Sequence, residues 1–336
     1  MKILIYSPLF YPSVGGVESV TEMLATEWVQ LGQEVKLISQ TPDREQKIFP
    51  FEILRQPSSK QQLELMRWCD IYLQSCISLK GLWLELRQPK PLVFIHHTWY
   101  NRPDGSIVVA DRLKLWVTRF ATNICVSEAI ASHLPVSSTV IHNPYRDDIF
   151  REMPEIKREK ELIFVGRLVS DKGVDLLLDS LFALKQQGLV PHLTIIGAGA
   201  DQEQLQQQVK RLKIASQVQF LGLCSPSEVA KTLNSHQFLV IPSRWQEPFG
   251  IVALEGIACG CVIVGSQGGG LKDAIADCGE TFPNGDRGKL TKILAEFLTN
   301  PDKIAKYRSN AKPHLQLHQK NIVAQKYLQR LEAILL

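Results

Sequence analysis

The 336-residue chain has no apolar run approaching the roughly eighteen residues of a membrane span, which argues against a transmembrane helix. It also lacks a marked charge bias. Its 38 Lys and Arg stand against 34 Asp and Glu, a net +4 that is too small to imply a nucleic-acid partner. The excess lies in residues 151–336, because residues 1–150 hold 15 basic and 15 acidic side chains, and a phosphate-rich ligand would suit that second half. Cysteine is scarce and unpatterned. The seven are Cys69, Cys76, Cys125, Cys224, Cys259, Cys261 and Cys278, and the only close pair, Cys259 and Cys261, has one residue between its members. Structural zinc ligands are usually spaced by roughly two to four, so neither a metal site nor a disulfide framework is expected. The opening "MKILIYSPLFYPSVGG" has neither a long apolar core nor a small-residue cleavage site and reads as a buried strand instead of an export signal. The expectation is a soluble, cytoplasmic protein, with a peripheral station at the inner membrane face left open.

What is present is ordinary globular composition, 45% hydrophobic and 21% charged, in a chain long enough for two domains. Strand-like runs alternate with helical spacing in both halves. "KILIYSPL" is followed by "ESVTEMLATEWVQLG", with Val20, Leu24, Trp28 and Leu31 at helical intervals and Gly32 as the stop, and then by "EVKLISQ". Further strands are expected at "DIYLQS", "PLVFIHH" and "NICVS". After the polar connection 143–161 a second series begins, "LIFVGRL", "HLTIIGAG", "QVQFLG", "QFLVIPS" and "CVIVGS". Such alternation predicts α/β architecture: two Rossmann-like, doubly wound parallel sheets facing a deep cleft, with ligands at the carboxyl edges of the strands. The expected divisions are an N-terminal domain at 1–148, a C-terminal domain at 149–315, and a final helix at 316–336 for which a return onto the N-terminal domain is one option.

The glycines are less specific than they look. "IIGAGADQ" offers Gly197 and Gly199 after a strand, but position 202 is Gln where a dinucleotide fingerprint needs a third Gly, which disfavours an NAD enzyme. Gly15 and Gly16 lead into a helix whose free N–H groups suit an anion, although a plain loop explains them equally. In "FVGRLVSDKG", Arg167 and Lys172 share a loop after a strand. Two cations there suit a diphosphate, the Arg by bidentate donation and the Lys as a point charge.

"FVGRLVSDKG", "FLGLCSPSEV", "IPSRWQEPFGIVALEGIACGCVIVGSQGGGLKD" and "PSVGGVESV…LGQEVKLIS" together resemble the retaining glycosyltransferases of family 4, which use sugar nucleotides and have the GT-B fold. The resemblance runs from the first strand to about residue 287. It implies that Arg167 and Lys172 grip the donor diphosphate, that Glu247 meets the donor sugar, and that Glu255 holds the ribose hydroxyls. The N–H groups of Phe249, Gly250, Ile251 and Val252 would open a helix toward phosphate and sugar oxygens, the main chain at Leu223 would pair with the base, and Gly16 would approach the phosphates on domain closure. Glu247 and Glu255 are then no acid–base pair; eight residues of helix span about 12 Å, close to the hexose–ribose separation in one nucleotide sugar. The implied reaction is metal-free hexosyl transfer with retention, the leaving phosphate taking the acceptor proton. UDP-glucose is the first donor by family frequency, and a saccharide or lipid-linked acceptor in cell-envelope or exopolysaccharide synthesis is implied.

On the acceptor side, "FIHHTWY" sets His96 and His97 on opposite faces of a strand end, and His97 matches the family's acceptor-side histidine better. Trp99 and Tyr100 could stack on a sugar or pack. The chain departs from the pattern at Pro144, where Gly is frequent, at Gln33 instead of His, and at Asp273 instead of Glu. The stretch "DRLKLWVTRF" mixes Arg112, Lys114 and Arg119 with Leu113, Trp116, Val117 and Phe120. Core packing is the favoured reading there, with transient membrane contact as the alternative. Two other functions share the architecture: a UDP-sugar epimerase, which would isomerise without an acceptor, and a non-catalytic sugar-nucleotide-binding module, which would lose the charged grips.

Overall fold

Short β-branched runs ending in Gly, Pro or Ser become parallel strands, and the amphipathic segments between them become the crossover helices. The computed structural model describes residues 1–13, 15–42, 47–102 and 105–336. Two units result, Met1–Pro144 with His318–Leu336, and Tyr145–Leu317. The divisions fall at 144/145 and 317/318, where the sequence suggested 148/149 and 315/316.

The first unit holds β1 (Lys2–Tyr6), β2 (Glu34–Ser39), β3 (Glu52–Arg55), β4 (Ile71–Ser75), β5 (Leu92–His96), β6 (Thr122–Cys125) and β7 (Thr139–Val140). They pair in parallel in the order β3-β2-β1-β4-β5-β6-β7. The helix Gly16–Gln30 buries Val20, Leu24 and Trp28 as its spacing requires, whereas Leu31 is 37% exposed. The helix Lys320–Leu335 packs against it in the same unit. The Trp28 indole donates to the Ala324 carbonyl at 3.2 Å and meets the Tyr327 ring edge-on at 6.1 Å.

The second unit holds β8 (Lys160–Val165), β9 (Leu193–Ile196), β10 (Val218–Gly222), β11 (His236–Ile241), β12 (Val262–Ser266) and β13 (Gly279–Phe282), in the order β10-β9-β8-β11-β12-β13. This is doubly wound, with the strand order reversing between β8 and β11. Leu177, Leu181 and Leu184 of the helix Val174–Gln186 are fully buried in a core with Phe164, Leu193 and Phe238. Truncating one such leucine, as in Leu181→Ala, should cost about 2–5 kcal/mol. The "GAG" segment after β9 is a brace. Gly166 N–H donates to the Ile196 carbonyl and Leu168 N–H to the Ala198 carbonyl, both at 3.0 Å, which fixes the chain on either side of Arg167.

One expectation fails. In the stretch 111–120 core packing was favoured, but Leu113, Trp116 and Phe120 are exposed at 46, 51 and 65%. Thr118 and the half-buried Leu115 and Val117 take the inward face, which is enough to seat so short a helix. Trp99 and Tyr100 pack: Trp99 lies edge-on to His133 at 4.7 Å, and the Tyr100 hydroxyl bonds His96. All seven cysteines are free. Among the described residues no helix is long and apolar enough to cross a membrane.

Candidate active site

The loops leaving β8 and β11 emerge side by side at the point where the second sheet reverses its order, the place where open α/β sheets bind ligands. Arg167, just after β8, is exposed. Gly173 follows Lys172 with φ +67, and a Cβ there would collide with the Pro242 carbonyl oxygen; only glycine lets the loop lie this close to the end of β11. The approach delivers Lys172 to Glu247, Nζ to Oε1 at 2.5 Å. The Ser243 hydroxyl donates to the same oxygen at 2.6 Å. Residues that the family resemblance assigns to diphosphate and to sugar are thus bonded to one another here.

The loop carrying Glu247 is held on three sides. The backbone N–H groups of Arg244 and Trp245 donate to the Asp171 carbonyl at 2.8 and 3.2 Å. The Arg244 guanidinium bonds both carboxylate oxygens of Asp175, at 2.5 and 2.6 Å. Burial alone would raise the Asp175 pKa, and the Arg244 hydrogen bonds and charge outweigh it, leaving the carboxyl below its usual value. Asn284 then ties two loops together: its Oδ1 accepts from Gly268 N–H at 2.8 Å, and its Nδ2 donates to the carbonyls of Arg244 and Trp245 at 3.2 and 3.3 Å. Gly270 N–H donates to the Glu247 carbonyl at 2.7 Å. Sequence reasoning missed Asp175, Arg244 and Asn284. "PNGD" signals only a turn, and the partners of Asn284 lie 16 to 40 residues away.

Beyond Glu247 the chain buries Phe249 at 1% exposure, turns at Gly250 with φ +99, and enters the helix Ile251–Ala258. A Cβ at Gly250 would strike the Leu271 side chain, so this turn too requires glycine. Gly250, Ile251 and Val252 open the helix, where the first N–H groups have no intrahelical acceptor and the helix dipole is positive. Glu255 lies one turn inside. Desolvation pushes its pKa from 4.5 to about 7, opposed in part by the charge of Arg146, a fourth residue the sequence reading passed over. Glu247 therefore precedes the helix start and Glu255 follows it. Leu223 comes just after β10, with its side chain 83% exposed.

The other two candidates belong to the first unit. Gly16 is the first residue of the helix Gly16–Gln30. His97 follows β5 and is 6% exposed, and burial together with the neighbouring His96 lowers its pKa to about 3, so the ring is neutral. Its Nε2 has no hydrogen-bond partner among the described residues. His96 is fully committed: Nδ1 lies 2.8 Å from the Tyr100 hydroxyl and Nε2 2.9 Å from Asn123 Oδ1. Asn123 Nδ2 donates to the Thr118 and Ala121 carbonyls, so Oδ1 is its acceptor and the His96 proton sits on Nε2. His96 is a structural residue.

Residues 145–314, which contain every candidate of the second unit, match the family described as Glycosyl transferases group 1. The chain belongs to this family. The glycosyltransferase is 24% identical to the uncharacterized glycosyltransferase MJ1178 of Methanocaldococcus jannaschii, over 82% of each chain. It is also 24% identical to the alpha-monoglucosyldiacylglycerol synthase of Streptococcus pneumoniae, over 90% of its own length and 79% of that protein's. Anabaena Alr3699/HepE, solved in complex with UDP and glucose, matches its structure with a TM-score of 0.81 at 21% identity, covering 99% of this chain and 100% of that one. Its two parallel-sheet α/β units are those of the GT-B fold.

Proposed function

We propose that this glycosyltransferase is a retaining, metal-independent enzyme of family 4 that transfers a hexosyl group from a nucleotide sugar to a saccharide or lipid-linked acceptor. UDP-glucose is the donor that fits best. The observation carrying this reading is the Lys172–Glu247–Ser243 cluster at the strand-order reversal, set before a helix start with Glu255 one turn inside. Arg167 and Lys172 hold the diphosphate as negative charge builds on it during cleavage of the anomeric C–O bond, and the N–H groups of Phe249, Gly250, Ile251 and Val252 add donors. Glu247 accepts hydrogen bonds from sugar hydroxyls and Glu255 from the ribose, while the main chain at Leu223 meets the base. Gly16 admits the phosphates closely. His97, neutral and with a free ring nitrogen, orients a hydroxyl without adding charge. The departing phosphate oxygen takes the acceptor proton on the face it leaves, which gives retention.

The UDP and glucose in the HepE complex support the choice of donor, and the name of the streptococcal relative supports glucose and a lipid acceptor. The test is a mass-spectrometric screen of UDP-glucose, UDP-galactose, UDP-N-acetylglucosamine and GDP-mannose against lipid and saccharide acceptors, with anomeric configuration read by NMR. Transfer from UDP-glucose with retention is expected. An inverted product refutes the mechanism, and isomerised nucleotide sugar in the absence of acceptor would favour an epimerase.

A further inference from the structure

The helix Val109–Val117 and the 3₁₀ turn Thr118–Phe120 turn an apolar stripe outward. Val109, Leu113, Trp116 and Phe120 are exposed at 81, 46, 51 and 65%. At about 100° per residue, the first three fall within a sector of roughly 60°. Phe120 joins them, its ring edge-on to Trp116 with centroids 5.0 Å apart. The opposite face is already used, since Thr118 is buried and Leu115 and Val117 pack on Ile77, Phe94 and Tyr100.

Charge is distributed to match. Asp111 is paired with Lys114 at 2.9 Å, both half-buried. Within 105–120 the exposed charges are Arg112 and Arg119, and helical geometry puts Arg112 on one flank of the stripe. A two-fold contact with a second copy would bring these guanidinium groups together with no exposed acid on the helix to offset them.

We propose that this face docks on an anionic phospholipid bilayer. The aromatic and aliphatic side chains enter the boundary between headgroups and acyl chains while Arg112 and Arg119 meet lipid phosphates. The inference names the surface on which a lipid-linked acceptor would be met, and it rests on this exposed face and not on the donor site.

The experiment is flotation of the full chain with vesicles of phosphatidylcholine alone and of an equimolar phosphatidylcholine–phosphatidylglycerol mixture, with UDP titrated calorimetrically into the same samples. The chain should float with the anionic vesicles, less so at high salt, and stay behind with neutral ones. Trp116→Ser should weaken partitioning roughly tenfold. The double change Arg112→Gln with Arg119→Gln should weaken it about 25-fold, fivefold per cation at an anionic surface. Both variants should bind UDP as wild type does, which also reports that they fold. Equal binding to both vesicles, or binding indifferent to these substitutions, overturns the proposal. So does a dimer in sedimentation velocity that Trp116→Ser dissolves while vesicles capture nothing. Wild-type chain that floats but ignores UDP would instead defeat the donor assignment and leave this surface standing.

Discussion

Replacing Glu255 by Gln should stabilise the ligand-free protein and weaken its grip on the nucleotide. Burial raises the carboxyl pKa from 4.5 to about 7, so the folded chain binds the proton more tightly than the unfolded one and ionisation costs stability. The penalty is complete above pH 7 and fades as pH falls from 7 toward 4.5. A gap of roughly 2.5 units at 1.36 kcal/mol each sets a ceiling of about 3 kcal/mol. Two effects lower the gain: Glu255 keeps partial solvent contact, and a buried amide brings its own unmet hydrogen bonds. A net gain of about 1–2 kcal/mol would raise the melting temperature of the Tyr145–Leu317 unit by roughly 2–8 °C at pH 8, and by much less at pH 5. The same variant gives up an acceptor for the ribose, about 1.5–3 kcal/mol or ten- to a hundredfold in UDP affinity. Scanning calorimetry at both pH values, with and without UDP, measures the two effects together. Melting below wild type at pH 8, an equal increment at pH 5, or unchanged UDP affinity would each refute the reasoning.

Glu247→Gln should leave UDP affinity unchanged or slightly higher, because Lys172 loses its ion-pair partner and keeps its charge for the diphosphate, while affinity for the intact donor falls about ten- to a hundredfold; titration with UDP and with the donor separates the two, and an equal loss of both contradicts the assignment. Arg167→Ala and Lys172→Ala should each lower turnover about 100-fold with donor in excess, and near-wild-type rates in both would remove them from the mechanism. Activity should survive chelation if, as proposed, Arg167, Lys172 and the helix start neutralise the diphosphate without a metal. Activity lost to chelator and restored only by Mg²⁺ or Mn²⁺ would reject this.

Central strands were legible because they are buried on both faces: "KILIY" and "FLVI" are nearly unbroken apolar runs. The three strands the sequence reading missed, β3, β7 and β13, are all at sheet edges, where "EILR", "TV" and "GETF" need bury only part of their surface. Arg167, Lys172, Glu247 and Glu255 stand out in the sequence because charge in an apolar or glycine-rich setting has local contrast. Asn284 and Arg146 have none. They matter through loops that only folding brings to them, as does the bond between Lys172 and Glu247, 75 residues apart. The stripe on the helix Val109–Val117 was legible as amphipathic, but the sequence alone could not say which side its partners already occupied.

The helix Lys320–Leu335 completes the first unit, although residues 145–317 intervene. During translation, therefore, every residue of the second unit is made before the last piece of the first. Until then Trp28, which ends fully buried, lacks the Ala324 carbonyl and the Tyr327 ring, and the flank of the helix Gly16–Gln30 waits uncovered. The nascent chain must carry that half-finished surface through the time needed to make 173 more residues, at roughly 5–20 residues per second. The unit that starts first finishes last.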